Sequence, residues 1–192
     1  KPVPLEQIMR DLRINMIFEG SSEIMRLFIA REAVDPHLSR AGGMIDPDAA
    51  LGDKVKGAMG LGVHLAGWVP GLVAGWGRWP QYNDYGPPSD HMRFVTRAAR
   101  KLGRTLFYAM TRFGPKLEKR QSVLFRLVDV GAELFAMAAT CARAKQLGAA
   151  ADNGAFTLAV TFCRASKRRV RRSFQDVFSN DDPRDYRVAQ DV

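Results

Sequence analysis

The residues best suited to chemistry lie in one stretch, residues 10–31, which read RDLRINMIFEGSSEIMRLFIAR. Within it Glu19 stands between Phe18 and Gly20, with Ile17 one place further back. A carboxylate set among apolar side chains can be desolvated, and desolvation raises its pKa toward the range in which a general base works near neutral pH. Gly20 has no Cβ, so the backbone beside Glu19 can come close to a substrate. The same arrangement also describes a glutamate in solvent at a helix end, the commoner setting for Glu before Gly. Ser21 and Ser22 then open a helix. Their hydroxyls and the helix N-terminal amides can hydrogen-bond an anion or a sugar. They can equally cap the helix, with Glu23 in the first turn suited to its dipole. Asp11 and Arg13 read as structural, orienting this turn. No metal is expected: His37, His64 and His91 lack ligand spacing, and neither Cys141 nor Cys163 sits in a Cys-x-x-Cys pair. There is no Gly-rich phosphate loop and no nucleophile elbow.

The elements that must hold this stretch are helical, since strand signals are nearly absent. Leu5, Ile8, Met9 and Leu12 recur at helical spacing after Pro4, and this helix should end near residues 18–20. Ser21 or Ser22 starts a second helix with Ile24, Leu27, Phe28 and Val34 on its apolar face, and Pro36 is expected to stop it. Residues 35–50 then read as a loop, residues 50–59 as a short helix, and residues 80–88 as a linker of turn formers. Three longer helices follow. Residues 89–113 align Phe94, Ala98, Leu102, Leu106, Ala109 and Phe113. Residues 117–147 align Leu124, Leu127, Val128, Gly131, Phe135, Ala138 and Cys141. Residues 155–178 align Ala159, Cys163, Val170, Phe174 and Val177. The middle helix is apolar most of the way round between 123 and 142, which places it at the centre. A tail after Pro183 reads as helical. The expected fold is all-α, an antiparallel helical bundle with short connections, to which residues 22–34 or 50–59 could add a fourth helix. The chain divides into 1–38, a linker at 39–88 and a bundle at 89–192.

With 192 residues, 46% of them hydrophobic, a packed core is expected. The apolar stripe beginning at Leu5 opens in mid-pattern, so the chain reads as part of a longer polypeptide. The net charge of +9 favours anionic partners. Residues 164–172, RASKRRVRR, hold six basic side chains, which suit a solvated helix face or contact with anionic lipid. Nucleic acid is not expected, because no fold motif or aromatic platform accompanies the charge. Residues 61–79, LGVHLAGWVPGLVAGWGRW, contain Trp68, Trp76 and Trp79, and Pro70 and five glycines interrupt the run. It is too short and broken to span a bilayer. Membrane-interface contact is the first reading, packing on the bundle or a dimer partner the second, and plain disorder the third. Cys141 and Cys163 fall among apolar residues and read as buried free thiols. With no signal-peptide pattern, this points to a reducing, intracellular, cytoplasmic setting.

Arg10, Asp11, Arg13, Ile17, Glu19, Gly20, Ser22, Ile24, Arg26, Ile29, Ala30 and Arg31 match, at fixed spacing, the signature R-D-x-R-x-x-x-I-x-E-G-T-S-x-I-x-R-x-x-I-A-R. The segment thus resembles the acyl-CoA dehydrogenase family. Ile17-Phe18-Glu19-Gly20, Arg26-Leu27-Phe28 and a further C-terminal helical domain resemble the very-long-chain branch. The resemblance implies removal of an α-proton from an acyl-CoA thioester by a carboxylate at Glu19, while the β-hydrogen leaves as hydride to a flavin. Gly20 would lie against substrate. Ser21, Ser22 and Glu23 would lie at the adenosine half of FAD, although Ser21 replaces the more usual Thr and Glu23 stands where Gln or Asp is common. Long-chain acyl-CoA, an electron-transfer flavoprotein and a homodimer partner are implied. So is peripheral membrane contact, at the inner membrane in a bacterium. The domains that grip isoalloxazine and acyl tail are outside this chain, so it should hold the base without the complete site and should not retain FAD alone. The rival reading is a non-catalytic helical module that docks a membrane or protein through 61–79 and 164–172.

Overall fold

A helix that is apolar nearly all round must be enclosed by others, and α5 (Gln121–Leu147) dictates the arrangement here. The computed structural model describes residues 4–18, 20–45, 48, 50–74, 79–148 and 154–191. Before α5 come α1 (Leu5–Ile14), α2 (Ser22–Ile45), α3 (Leu51–Ala74) and α4 (Ser89–Phe113). After it come α6 (Ala155–Asp176) and α7 (Asp182–Asp191). No strand occurs among the described residues, and the all-α expectation holds.

Val123, Leu127, Val130, Leu134, Met137, Cys141 and Ala144 are buried along α5 at alternating steps of four and three residues. That 3.5-residue period keeps one seam facing its partners along the whole helix. The C-terminal half of the seam packs with Met92 and Ala98 of α4 and with Cys163 and Val170 of α6. The N-terminal half packs with Ala109 of α4, Val177 just past α6, and Ala30 of α2. The start of α4 therefore meets the end of α5, and the end of α6 meets its start, so the three helices are antiparallel. The cysteines are free, fully buried thiols, as their apolar surroundings suggested.

Polar anchors radiate from α5. Asp129 accepts from Arg26 of α2 at 2.8 Å. Glu133 accepts from Arg169 of α6, with one contact at 2.9 Å. Arg126 grips Asp182 of α7 bidentately at 2.6 and 2.7 Å, and Ser122 Oγ lies 3.1 Å from the Tyr186 hydroxyl. Lys145 pairs with Asp84 of the 3-10 turn Asn83–Tyr85.

Three expectations are corrected. Pro36 does not stop α2, which runs on to Ile45, so much of residues 35–50 is helix and the 38/39 division falls inside it. The glycines and Pro70 do not break the second segment either: α3 is continuous over Leu51–Ala74. An interior proline deletes one backbone hydrogen bond and crowds the preceding turn. Here packing offsets that cost. His37 of α2 faces His64 of α3 at 3.1 Å (Nδ1 to Nε2) and packs at a tilt of 54° against Trp68, ring centres 4.5 Å apart, and Trp68 meets Phe107 of α4. Leu72 of α3 presses on Gly103 so closely that a Cβ there would lie 2.6 Å from its methyl, and Arg104 donates to the Leu72 carbonyl. Third, Phe135 is 76% exposed and Leu134 takes the buried place, because the seam follows a 3.5-residue period one position away from the face read in the sequence.

Met137 is fully buried at the middle of the seam. Met137→Ala should destabilise the fold by about 2–5 kcal/mol in urea denaturation. Phe135→Ser should leave the midpoint nearly unchanged, and equal losses at the two sites would refute this account of the seam.

Candidate functional site

The segment around Glu19 is a helix-turn-helix corner. α1 ends at Ile14, and its last carbonyls are taken up in a turn: Ile17 and Phe18 both donate to Ile14 O at 2.9 Å. Glu19 itself lies outside the described residues. Gly20 follows with φ +106°, a left-handed conformation that a side chain resists, and a Cβ there would lie 3.0 Å from Met25 Sδ. Ser21 O then accepts from Met25 N–H at 3.0 Å, closing the first turn of α2. The sequence-predicted residues Gly20, Ser21, Ser22 and Glu23 are thus brought together at one helix start.

The electrostatics of that start are defined. Glu23 is held below the usual carboxylate range, first by its own backbone N–H, then by the Ser21 hydroxyl, with Arg26 adding a weaker attraction. It is therefore an ionised acceptor beside two half-buried serines. An ionised carboxylate at this place accepts hydrogen bonds from hydroxyl groups and repels phosphate. The set suits the sugar of a nucleotide rather than its pyrophosphate. Asp11 and Arg13 are exposed and enter no ion pair among the described residues; the pair formed on α1 is Glu6 with Arg10.

Every described residue from 4 to 18 is exposed, including Met9 at 75%, Ile17 at 71% and Phe18 at 65%. Ile24, Met25, Phe28 and Ile29 extend the exposed apolar surface onto α2. These apolar side chains, on either side of position 19 in the chain, are left uncovered among the described residues. Deep desolvation of a carboxylate there requires further protein. Two concavities lie elsewhere among the described residues: an open groove of about 650 Å³ between α2, α5 and α6, lined by Arg26, Asp129, Glu133 and Arg169, and a smaller hollow of about 180 Å³ where α7 meets α4 and α5.

What fixes the corner in space is α2. Its Ala30 and Val34 are buried, Ala30 against α5, and its Arg26 reaches Asp129 and lies 5.9 Å from the Phe125 ring. Sequence reasoning did not single out Asp129. The available signal was an acid in an otherwise apolar stretch of α5, where Asp129 and Glu133 are the only carboxylates.

Residues 89–192 match the family described as "ACAD9/ACADV, C-terminal domain", and residues 1–34 match "Acyl-CoA dehydrogenase, C-terminal domain". The chain belongs to the acyl-CoA dehydrogenase family. It is 49% identical over its whole length to the proteins named "Probable acyl-CoA dehydrogenase FadE10" of Mycobacterium bovis and Mycobacterium tuberculosis. It spans 30% of the length of those relatives. No solved structure matches it. The resemblance read from residues 10–31 is thereby shown at family level.

Among the described residues no three His, Cys, Asp or Glu side chains group as a metal site, and no helix is long and apolar enough to cross a membrane. Trp68 packs inward on α2 and α4, and Trp79 lies under Arg100 with its ring centre 4.6 Å from the guanidinium. Trp76 lies outside the described residues.

Gly20→Ala would force a left-handed conformation on a residue with a Cβ. The substitution should cost about 1–2 kcal/mol in chemical denaturation. A loss below about 0.3 kcal/mol would refute the left-handed assignment, since Gly→Ala at an ordinary backbone position is neutral or stabilising.

Proposed function

We propose that this chain supplies the catalytic base and the appended helical domain of an enzyme that α,β-dehydrogenates long-chain acyl-CoA. The observation that carries the reading is the twelve-residue match over residues 10–31, on a chain whose two ends both fall in acyl-CoA dehydrogenase families. In this reading the Glu19 carboxylate takes the α-proton of the thioester. The backbone N–H of the same residue donates to the thioester oxygen and so stabilises the developing enolate. Gly20 allows that backbone to lie against substrate. Ser21, Ser22 and Glu23 hold the adenosine sugar of FAD, which suits an ionised acceptor beside two hydroxyls. FAD, when bound, would supply the acceptor for the β-hydrogen as hydride, and an electron-transfer flavoprotein would take the electrons onward. The exposed apolar surface of α1 and early α2 packs on the rest of the polypeptide, which provides the water-excluded walls around Glu19. The active protein is a homodimer in the cytoplasm.

The test is anaerobic stopped-flow flavin reduction by a long-chain acyl-CoA in the full-length protein. Glu19→Gln should bind flavin and substrate but reduce flavin about 10²–10⁴-fold more slowly. Reduction at the wild-type rate would place the base elsewhere and leave the non-catalytic module as the better reading.

Membrane contact belongs to the same proposal, and α3 gives it its form. Leu51, Val55, Met59, Val63 and Val73 are all exposed on α3, with Gly62, Ala66 and Pro70 completing an outward stripe free of charge. This stripe, rather than the inward-packed Trp68, is the surface suited to lie in a lipid interface. Val63→Asp combined with Val73→Asp should lower co-sedimentation with phosphatidylglycerol–phosphatidylethanolamine vesicles several-fold without changing flavin reduction by soluble substrate. Unchanged vesicle binding would assign the stripe to a protein contact.

A further inference from the structure

Cys141 on α5 and Cys163 on α6 face each other with their sulfurs 3.6 Å apart. Both are fully buried in the same hydrophobic cluster, with Val130, Leu134, Met137 and Val170 around them. A buried cysteine on a helix ordinarily serves as a small apolar side chain. Two on different helices in direct sulfur-to-sulfur contact are also a dithiol. A disulfide needs a separation near 2.05 Å, so the sulfurs must approach by about 1.5 Å.

We propose that Cys141 and Cys163 form an oxidisable dithiol site, at which a hydroperoxide converts the two thiols into a disulfide that ties α5 to α6. The surroundings assign the two sulfurs different parts. The Cys163 thiol is drawn below its ordinary range, first by the hydrogen bond it accepts from Cys141 and then by Lys167 one helical turn away, against the effect of burial. The Cys141 thiol is pushed upward by donating that bond and by burial. Cys163, with Lys167 one helical turn away, is taken as the sulfur that attacks. Its thiolate displaces water or hydroxide from the peroxide O–O bond and becomes a sulfenic acid. The Cys141 sulfur then attacks the sulfenyl sulfur, and a second water leaves. Two thiols and one hydrogen peroxide give one disulfide and two waters, with two electrons passing from sulfur to oxygen. Because neither sulfur is exposed, the oxidant reaches them through local opening of the α5–α6 pair, and the reaction is slow compared with that of a surface thiol.

The test uses the intact protein and hydrogen peroxide, followed by denaturation, alkylation, trypsin and mass spectrometry. The expected result is a linked pair of peptides, 127–143 and 146–164, lighter by two hydrogens than their sum and separated again by dithiothreitol. In Cys141→Ser, Cys163 should stop at the sulfenic acid and be trapped by dimedone. The exposed Met59 serves as an internal gauge of oxidant dose. If both cysteines remain fully alkylatable when Met59 is oxidised, or if Cys163 proceeds to sulfinic acid without the cross-link, the proposal is overturned. The wild-type peptide map decides the matter even if the serine variant fails to fold.

Discussion

The seam along one side of α5 is the constraint on which the rest of this structure depends. Seven residues at alternating spacings of four and three must be covered, and α4 and α6 do so by running antiparallel on either side. Hydrophobic burial alone would tolerate several slid or rotated versions of that arrangement. The polar contacts select one. α5 has two carboxylates, and each takes an arginine from a different helix, Arg26 of α2 and Arg169 of α6. Its own Arg126 reaches out to Asp182 with only a quarter of its side chain exposed. Partly exposed pairs of this kind add little to stability, but they are directional and fix register.

The seam also explains how so much like charge can be carried. α4 and α6 hold twelve of the 29 Lys and Arg but only two of the 20 Asp and Glu, which leaves the remainder of the chain close to neutral. Both helices turn their small and apolar side chains to α5, and the cations fall outside. Where the two basic helices meet, aromatic rings stand between them. Lys167 lies 5.0 Å from the Phe94 ring centre and Lys101 lies 4.3 Å from that of Phe174. Each ring offers a cation of the opposite helix a favourable face, which offsets part of the repulsion.

Periodicity made the bundle legible in the sequence, because the pattern of α4, α5 and α6 is imposed by the seam they share. Ala159, Cys163, Val170 and Val177 emerge as the inner side of the third long helix and are all buried. The misread elements are those where tertiary contacts override local preference. Pro36 and Pro70 are strong breakers in isolation, yet both sit in helices braced by Trp68, Leu72 and the His37–His64 contact, whose partners lie 27 or more residues away. No local pattern reports such distant bracing. Phe135 was misplaced for a different reason: on a helix apolar most of the way round, hydrophobicity no longer distinguishes the inner side from the outer. At the candidate site, spacing alone located the corner from Gly20 to Glu23. Glu19 itself lies outside the described residues, so its surroundings are not part of that comparison.

The position of that corner depends on the bundle. Arg26 is part of the same signature as Glu19, and its partner Asp129 lies 103 residues further on, in the span that matches the separate C-terminal family. Ala30, one turn later, is buried among residues of α4 and α5. α2 therefore has its first turn just after Gly20 and its flank set against α4 and α5. A helix rotation of 100° per residue leaves little freedom: with Arg26 and Ala30 both held, the azimuth at which the chain leaves Ser22 toward Gly20 is determined. A general base misplaced by an ångström loses much of its effect. Asp129 consequently bears on the direction of the chain at Gly20 through geometry rather than contact, and the helices of residues 89–192 are part of what holds the start of α2 in place.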